Sequence, residues 1–231
     1  LFSVFKGLKE AELDSYQFFS VVPEISPGFL FALVSAAHAA GFSLTGITLQ
    51  EAKSLAQIVW NQESLVGDFG TNSQDDVLNR LQVVCEKAAV NLLEMKNEPV
   101  SYLNLYAAIL QNLVIENYFP PASPRQSVQT LVKLQAGVKA FFGENQKLIQ
   151  YKTKGQSHES MLWWFAASST LDLPPLSDRI EGDILDFLYS KSVVKQTDLI
   201  ASLSEKYPGL ITPSSEFIQV CLQSYAEKIK S

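Results

Sequence analysis

Six basic side chains fall between Arg125 and Lys154: Arg125, Lys133, Lys139, Lys147, Lys152 and Lys154, with Glu144 as the one acid among them. In a chain of net charge −6 this is a local positive region. Lys and Arg bind nucleic acid by neutralising backbone phosphates, so the stretch is the candidate nucleic-acid interface. The competing reading is a solvated helix face followed by a basic loop. His158 and Glu159 pair an imidazole with a carboxylate, the combination that fixes a tautomer in a general base. Adjacent helical residues do not face each other, however, which favours a helix start capped by Ser157. Trp163 and Trp164 could stack unpaired bases, but core packing is the stronger expectation. Cys85 and Cys221 each sit in an apolar helical pattern, outside any CxxC, and read as buried free thiols.

Other chemistries have no residues to support them. There are only two histidines, His38 and His158, and no HExxH, so a zinc site lacks ligands. The GxSxG elbow, the GxxxxGK[ST] phosphate loop and the GxGxxG dinucleotide signature are all missing.

The elements that would carry these residues follow from patterning. Tyr16–Val22 is aromatic and β-branched and predicts a strand. Ser26-Pro27 predicts a helix start, with the helix running through Phe29–Ala40 and stopping at Gly41. Phe42–Leu49 alternates as a strand, and Leu55–Trp60 predicts its hairpin return. Val77, Leu81, Val84, Ala88, Leu92 and Met95 recur at helical spacing. A second helix follows Pro99 through Tyr102, Tyr106, Ile109 and Leu113. A third starts at Ser123-Pro124, carries Val128, Leu131, Leu134, Val138 and Phe141, and ends at Gly143. A short strand is expected over Lys147–Tyr151 and a short helix over Ser157–Phe165, with both tryptophans inward. Three helices follow the stiff Leu173-Pro-Pro-Leu176 linker, with caps expected at Ser177, Thr197 and Thr212-Pro213.

The expected fold is therefore mixed and mainly α: an α/β segment over 1–61, a helical region over 62–170, and a three-helix, winged-helix-like unit over 171–231. The last unit has six bases against eight acids from Leu176 onward. Its third helix opens Thr212-Pro-Ser-Ser-Glu216, without the Arg or Lys that usually reads base edges. Protein contact suits it at least as well as DNA.

The chain has 231 residues, of which 47% are hydrophobic and 18% charged. That composition excludes disorder and implies extensive burial or a surface hidden by a partner. No apolar run reaches membrane-helix length, no signal peptide is visible, and the thiols fit a reducing, cytoplasmic setting. The opening residue, Leu1, suggests a piece of a larger protein.

Two stretches carry a resemblance. Leu173-Pro-Pro-Leu-Ser-Asp-Arg-Ile-Glu181, Tyr207-Pro-Gly-Leu-Ile-Thr-Pro213 and Cys221-Leu-Gln-Ser-Tyr225 resemble the C-terminal tail of a group of bacterial DNA methylases. Phe29–Phe42 followed by Ser43-Leu-Thr-Gly-Ile47 resembles the last helix and strands of an amino-methyltransferase catalytic fold, where a helix ending in Ala-Gly-Phe leads into the final hairpin. The family's (Asp/Asn/Ser)-Pro-Pro-(Tyr/Phe/Trp) motif is missing. Phe119-Pro-Pro-Ala122 and Leu173-Pro-Pro-Leu176 keep the prolines without the polar first residue. The glycine-rich S-adenosylmethionine motif is missing too. The resemblance thus implies a non-catalytic distal part that positions DNA or contacts a partner subunit or an N-terminal catalytic region. S-adenosylmethionine would belong to the longer parent protein. The rival expectation is a helical protein-interaction module with no nucleic-acid role.

Overall fold

A computed structural model describes residues 1–10, 17–62, 74–119, 126–151, 161–166, 172–191 and 193–227. Its first unit is a three-stranded sheet built around an apolar helix. Helix α1 (Phe2–Glu10) precedes strand β1 (Gln17–Pro23), helix α2 (Pro27–Ala39), strand β2 (Phe42–Gln50) and strand β3 (Leu55–Gln62). The strand order is β1-β3-β2, and β3 is antiparallel to both neighbours. β1 and β2 are therefore parallel to each other, joined across α2, with the hairpin return slotted between them.

Local chemistry explains these elements. Ser26 caps α2, its Oγ accepting from the Phe29 amide at 3.3 Å, and Pro27 pre-sets the first turn. α2 buries Leu30, Phe31, Leu33, Val34 and Ala37, as expected of a helix that is apolar on most sides. Gly41 ends it with φ 89°, a left-handed conformation that glycine adopts without strain. On the inner face of the sheet Phe18 and Leu44 both register with Trp60. The Phe5 ring of α1 packs 5.5 Å from Trp60 and 5.9 Å from Phe42. Trp60 satisfies its indole N–H on Ser20 Oγ at 2.8 Å. A bulge between Leu44 and Gly46 shifts the β2 register.

Helix α3 (Gln74–Lys96) and helix α4 (Tyr102–Ile115) form the middle layer, with strand β4 (Val100–Ser101) between them. Helix α5 (Gln126–Glu144) packs on α3, followed by strand β5 (Leu148–Tyr151) and strand β6 (Leu162–Phe165). These make a second antiparallel sheet, ordered β4-β6-β5. One continuous core runs from Phe5 through α4 to Trp163.

The helix expected over Ser157–Phe165 is corrected. Residues 162–165 are a strand, and its proposed cap, Ser157, lies outside the described residues. Leu-Trp-Trp-Phe is bulky and aromatic, which favours extended backbone, and β6 gains partners on both edges. Its side chains alternate: Trp163 is buried while Leu162 is 47% exposed. Two residues assigned to apolar helix stripes also face water, Met95 at 49% and Val128 at 61% exposure.

The tail comprises helix α6 (Leu176–Tyr189), helix α7 (Gln196–Lys206), a single 3-10 turn (Gly209–Ile211) and helix α8 (Ser215–Tyr225). It has its own core of Leu176, Ile180, Ile184, Leu199, Leu203, Tyr207, Ile218 and Cys221. The expected caps each shift by two residues, from Ser177 to Pro175, from Thr197 to Lys195 and from Thr212 to Ser214. Pro175 and Lys195 precede α6 and α7 without a side-chain cap, whereas Ser214 caps α8 through the Phe217 amide at 3.1 Å. Among the described residues no helix is long and apolar enough to cross a membrane.

Candidate functional site

The basic stretch is only partly within the described residues: Arg125, Lys152 and Lys154 lie outside them. Lys133 and Lys139 are exposed on α5. Six residues apart, they project roughly 120° from each other around a helix of about 3.6 residues per turn, so they do not share a face. Lys147 is committed to an ion pair with Glu86 of α3. The structure therefore does not bring these three lysines into one phosphate track. His158 and Glu159 lie outside the described residues. Trp163 is a core residue, its ring 5.2 Å from Phe142 and 6.4 Å from Tyr102. Both cysteines are buried free thiols. Burial pushes the Cys85 thiol up to about 12 and raises that of Cys221, which makes both poor nucleophiles. Among the described residues no group of three or more metal-ligating side chains forms.

The most chemically equipped place is one that sequence reasoning missed: a cleft of about 290 Å3 where the tail meets the body. It is built by carboxylates that reach across to helix starts. Glu51, at the β2–β3 turn, accepts from Ser101 Oγ at 2.6 Å and from the Asn104 side-chain amide, at the start of α4. Glu98 accepts from the Ser177 backbone amide at 3.1 Å, at the start of α6. Each anion thus sits where the helix dipole is positive. Between them, at the end of α3, lies the half-buried Lys96. Burial lowers its pKa below the ordinary lysine value, against the opposing pull of Glu98 and Glu51. No hydrogen bond or ion pair engages its ammonium among the described residues.

Around the cleft a few polar contacts hold the tail. Arg179 donates to the Met95 carbonyl, and the Asn97 side chain donates to the Leu173 carbonyl. Lys53 bonds Ser215 Oγ at 2.7 Å and pairs with Glu216 at 3.1 Å. Ile211 packs against both hydrophobic cores. The sequence signal for this site was faint: Lys96-Asn-Glu98-Pro99 breaks a long helix with opposite charges, but nothing local names Glu51 or Ser177 as neighbours.

A second, open groove beside α6 contains a polar triad. Asp183 accepts from Lys206 at 2.8 Å and from the Tyr207 hydroxyl at 2.5 Å. These ties account for the arrangement as a link between α6 and the end of α7.

No family model, curated protein or solved structure matches the chain.

Proposed function

We propose that this chain is the non-catalytic distal part of a DNA methylase-like protein, and that its work is to contact a partner subunit or an N-terminal catalytic region. The carrying observation is β1. Among the described residues it pairs only with β3, so its other edge has no strand. Its outward residues are apolar, with Phe19 70% and Val21 61% exposed. Between Gln17 and Pro23 there is no charged residue. Edge strands are ordinarily blunted by charge, proline, bulges or a covering element; β1 carries a proline only at its last residue, Pro23, and an apolar edge that is uncharged along its length suits a joint with more protein. The strand–helix–hairpin order of the first sixty-two residues supports the methyltransferase resemblance, because the resemblance rests on that segment.

DNA positioning is the lesser part of the proposal. It rests on Lys133 and Lys139 together with the basic residues outside the described set. The tail, with its three helices, is read as winged-helix-like and used on protein. From Leu176 to Ser231 it carries six bases and eight acids, a poor match for phosphate. S-adenosylmethionine and the catalytic Pro-Pro motif would reside on the partner or parent region, in the cytoplasm.

The open reading frame tests this. An in-frame (Asp/Asn/Ser)-Pro-Pro-(Tyr/Phe/Trp) motif and a glycine-rich segment upstream of Leu1 are expected. A start codon immediately before Leu1 would contradict the parent-protein form.

The rival, a helical interaction module with no nucleic-acid role, is favoured by one observation. Val128 and Val132, one turn apart on α5, are 61% and 62% exposed and form an apolar ridge.

A further inference from the structure

The cleft between body and tail presents both signs of charge beside an apolar lining. Lys96 supplies an ammonium that makes no hydrogen bond or ion pair among the described residues, although Glu98 and Glu51 are near enough to attract it. Glu51 spends Oε1 on Ser101 and Asn104, and Glu98 spends Oε2 on the Ser177 amide. The second oxygen of each makes no hydrogen bond among the described residues. The remaining lining includes Leu176, Ile180 and Phe217. Pockets that bind small molecules favour domain junctions and combine apolar walls with a few convergent polar groups. About 290 Å3 is at the small end of that range.

We propose that this cleft binds a small zwitterion with an apolar side chain, of the α-amino-acid type. The ligand carboxylate pairs with Lys96, its ammonium with the free oxygens of Glu51 and Glu98, and its side chain lies against the apolar lining. The charge balance selects this class. A simple anion would meet two carboxylates and one ammonium. A simple cation would satisfy the acids and leave Lys96 unpaired, and an unpaired buried charge is costly. Only a ligand carrying both charges completes both halves. Because the lining comes from both units, the occupied cleft would hold the tail to the body. This site goes beyond the partner-contact reading and does not depend on it.

Calorimetric titration of the full chain tests the proposal with three probes of one shape. L-Leucine carries both charges, L-leucinamide only the positive one, and 4-methylpentanoate only the negative one. L-Leucine is expected to bind at least about tenfold more tightly than either single-charge probe. Lys96→Met is expected to reduce leucine binding to the leucinamide level while leaving the melting temperature unlowered, because that ammonium holds no contact of the fold. Equal binding of the three probes would overturn the proposal, as would no leucine binding up to about 10 mM or leucine binding undiminished in Lys96→Met. The three-probe comparison needs only the unmodified chain, so it decides the matter even if the variant does not fold.

Discussion

Asp183 shows how a polar side chain fastens one helix to the next. Burial pushes its carboxyl up, but the hydrogen bonds from Lys206 and Tyr207 and the Lys206 charge outweigh that and hold its pKa below the ordinary carboxylate value. A depressed acid stabilises the fold above its unfolded pKa of about 4 and loses that contribution as pH falls through the folded value. Melting temperature measured on either side of pH 4 should therefore show an acid-side loss that Lys206→Met reduces. An unchanged acid limb in the variant would remove Asp183 from the account. Tyr207 titrates in the opposite sense. Burial first, then the bond to Asp183, raises it to about 12, so its contribution is present below pH 10 and lost as pH rises towards 12. The thiols give a second check: neither Cys85 nor Cys221 should react with a thiol reagent before unfolding. At this scale the sequence was informative where a residue acts within its own helix. Ser26 as a cap and the two buried cysteines are legible from their neighbours. Lys96 is not, because the groups that share its cleft come from far along the chain: Glu51 from a distant turn, and Leu176, Ser177 and Phe217 from the tail.

Secondary elements were legible wherever punctuation and period agreed. β1, α2, β2 and β3 follow the expected spans because Ser26-Pro27 and Gly41 mark the helix while alternation marks the strands. β6 was misread because its four residues are too short to show a period, and one of its two partners, β4, lies far back in the sequence before α4 and α5. The apolar outward face of β1 was equally silent, since exposure is a property of what packs nearby. It leads to a direct expectation. With that edge bare, copies of the chain should pair through it; Phe19→Lys together with Val21→Lys should suppress this self-association in sedimentation velocity, while stability changes by no more than about 0.5 kcal/mol, as for surface substitutions. Substantial unfolding would mean those side chains belong to the fold. Gly209 carries the other element-scale expectation. Its φ of 69° places it in the left-handed region, beside the Ile47 carbonyl. Gly209→Ala should cost about 1 kcal/mol in denaturant unfolding, and no loss would show that the turn relaxes freely.

The whole molecule consists of a body with one continuous core and a tail with its own, met at a junction where Ile211 packs against both cores beside the charged cleft. The sequence indicated a separate tail through Leu173-Pro-Pro-Leu176, but not the charged cleft formed by its docking. DNA positioning, the lesser part of the proposal, is tested through charge. Reversing Lys133, Lys139, Lys152 and Lys154 together to Glu should lower duplex affinity at low salt by at least about tenfold and make its salt dependence shallower, and unaltered affinity would remove DNA positioning. The claim that matters most is that β1 is a joint. Amide hydrogen exchange across Gln17–Val22 tests it most directly, comparing this chain with the protein made from its complete open reading frame. The amides not bonded to β3 should exchange freely in the chain alone and become protected in the longer protein. Amides that stay unprotected there, or a reading frame that adds nothing before Leu1, would contradict the joint to an N-terminal catalytic region.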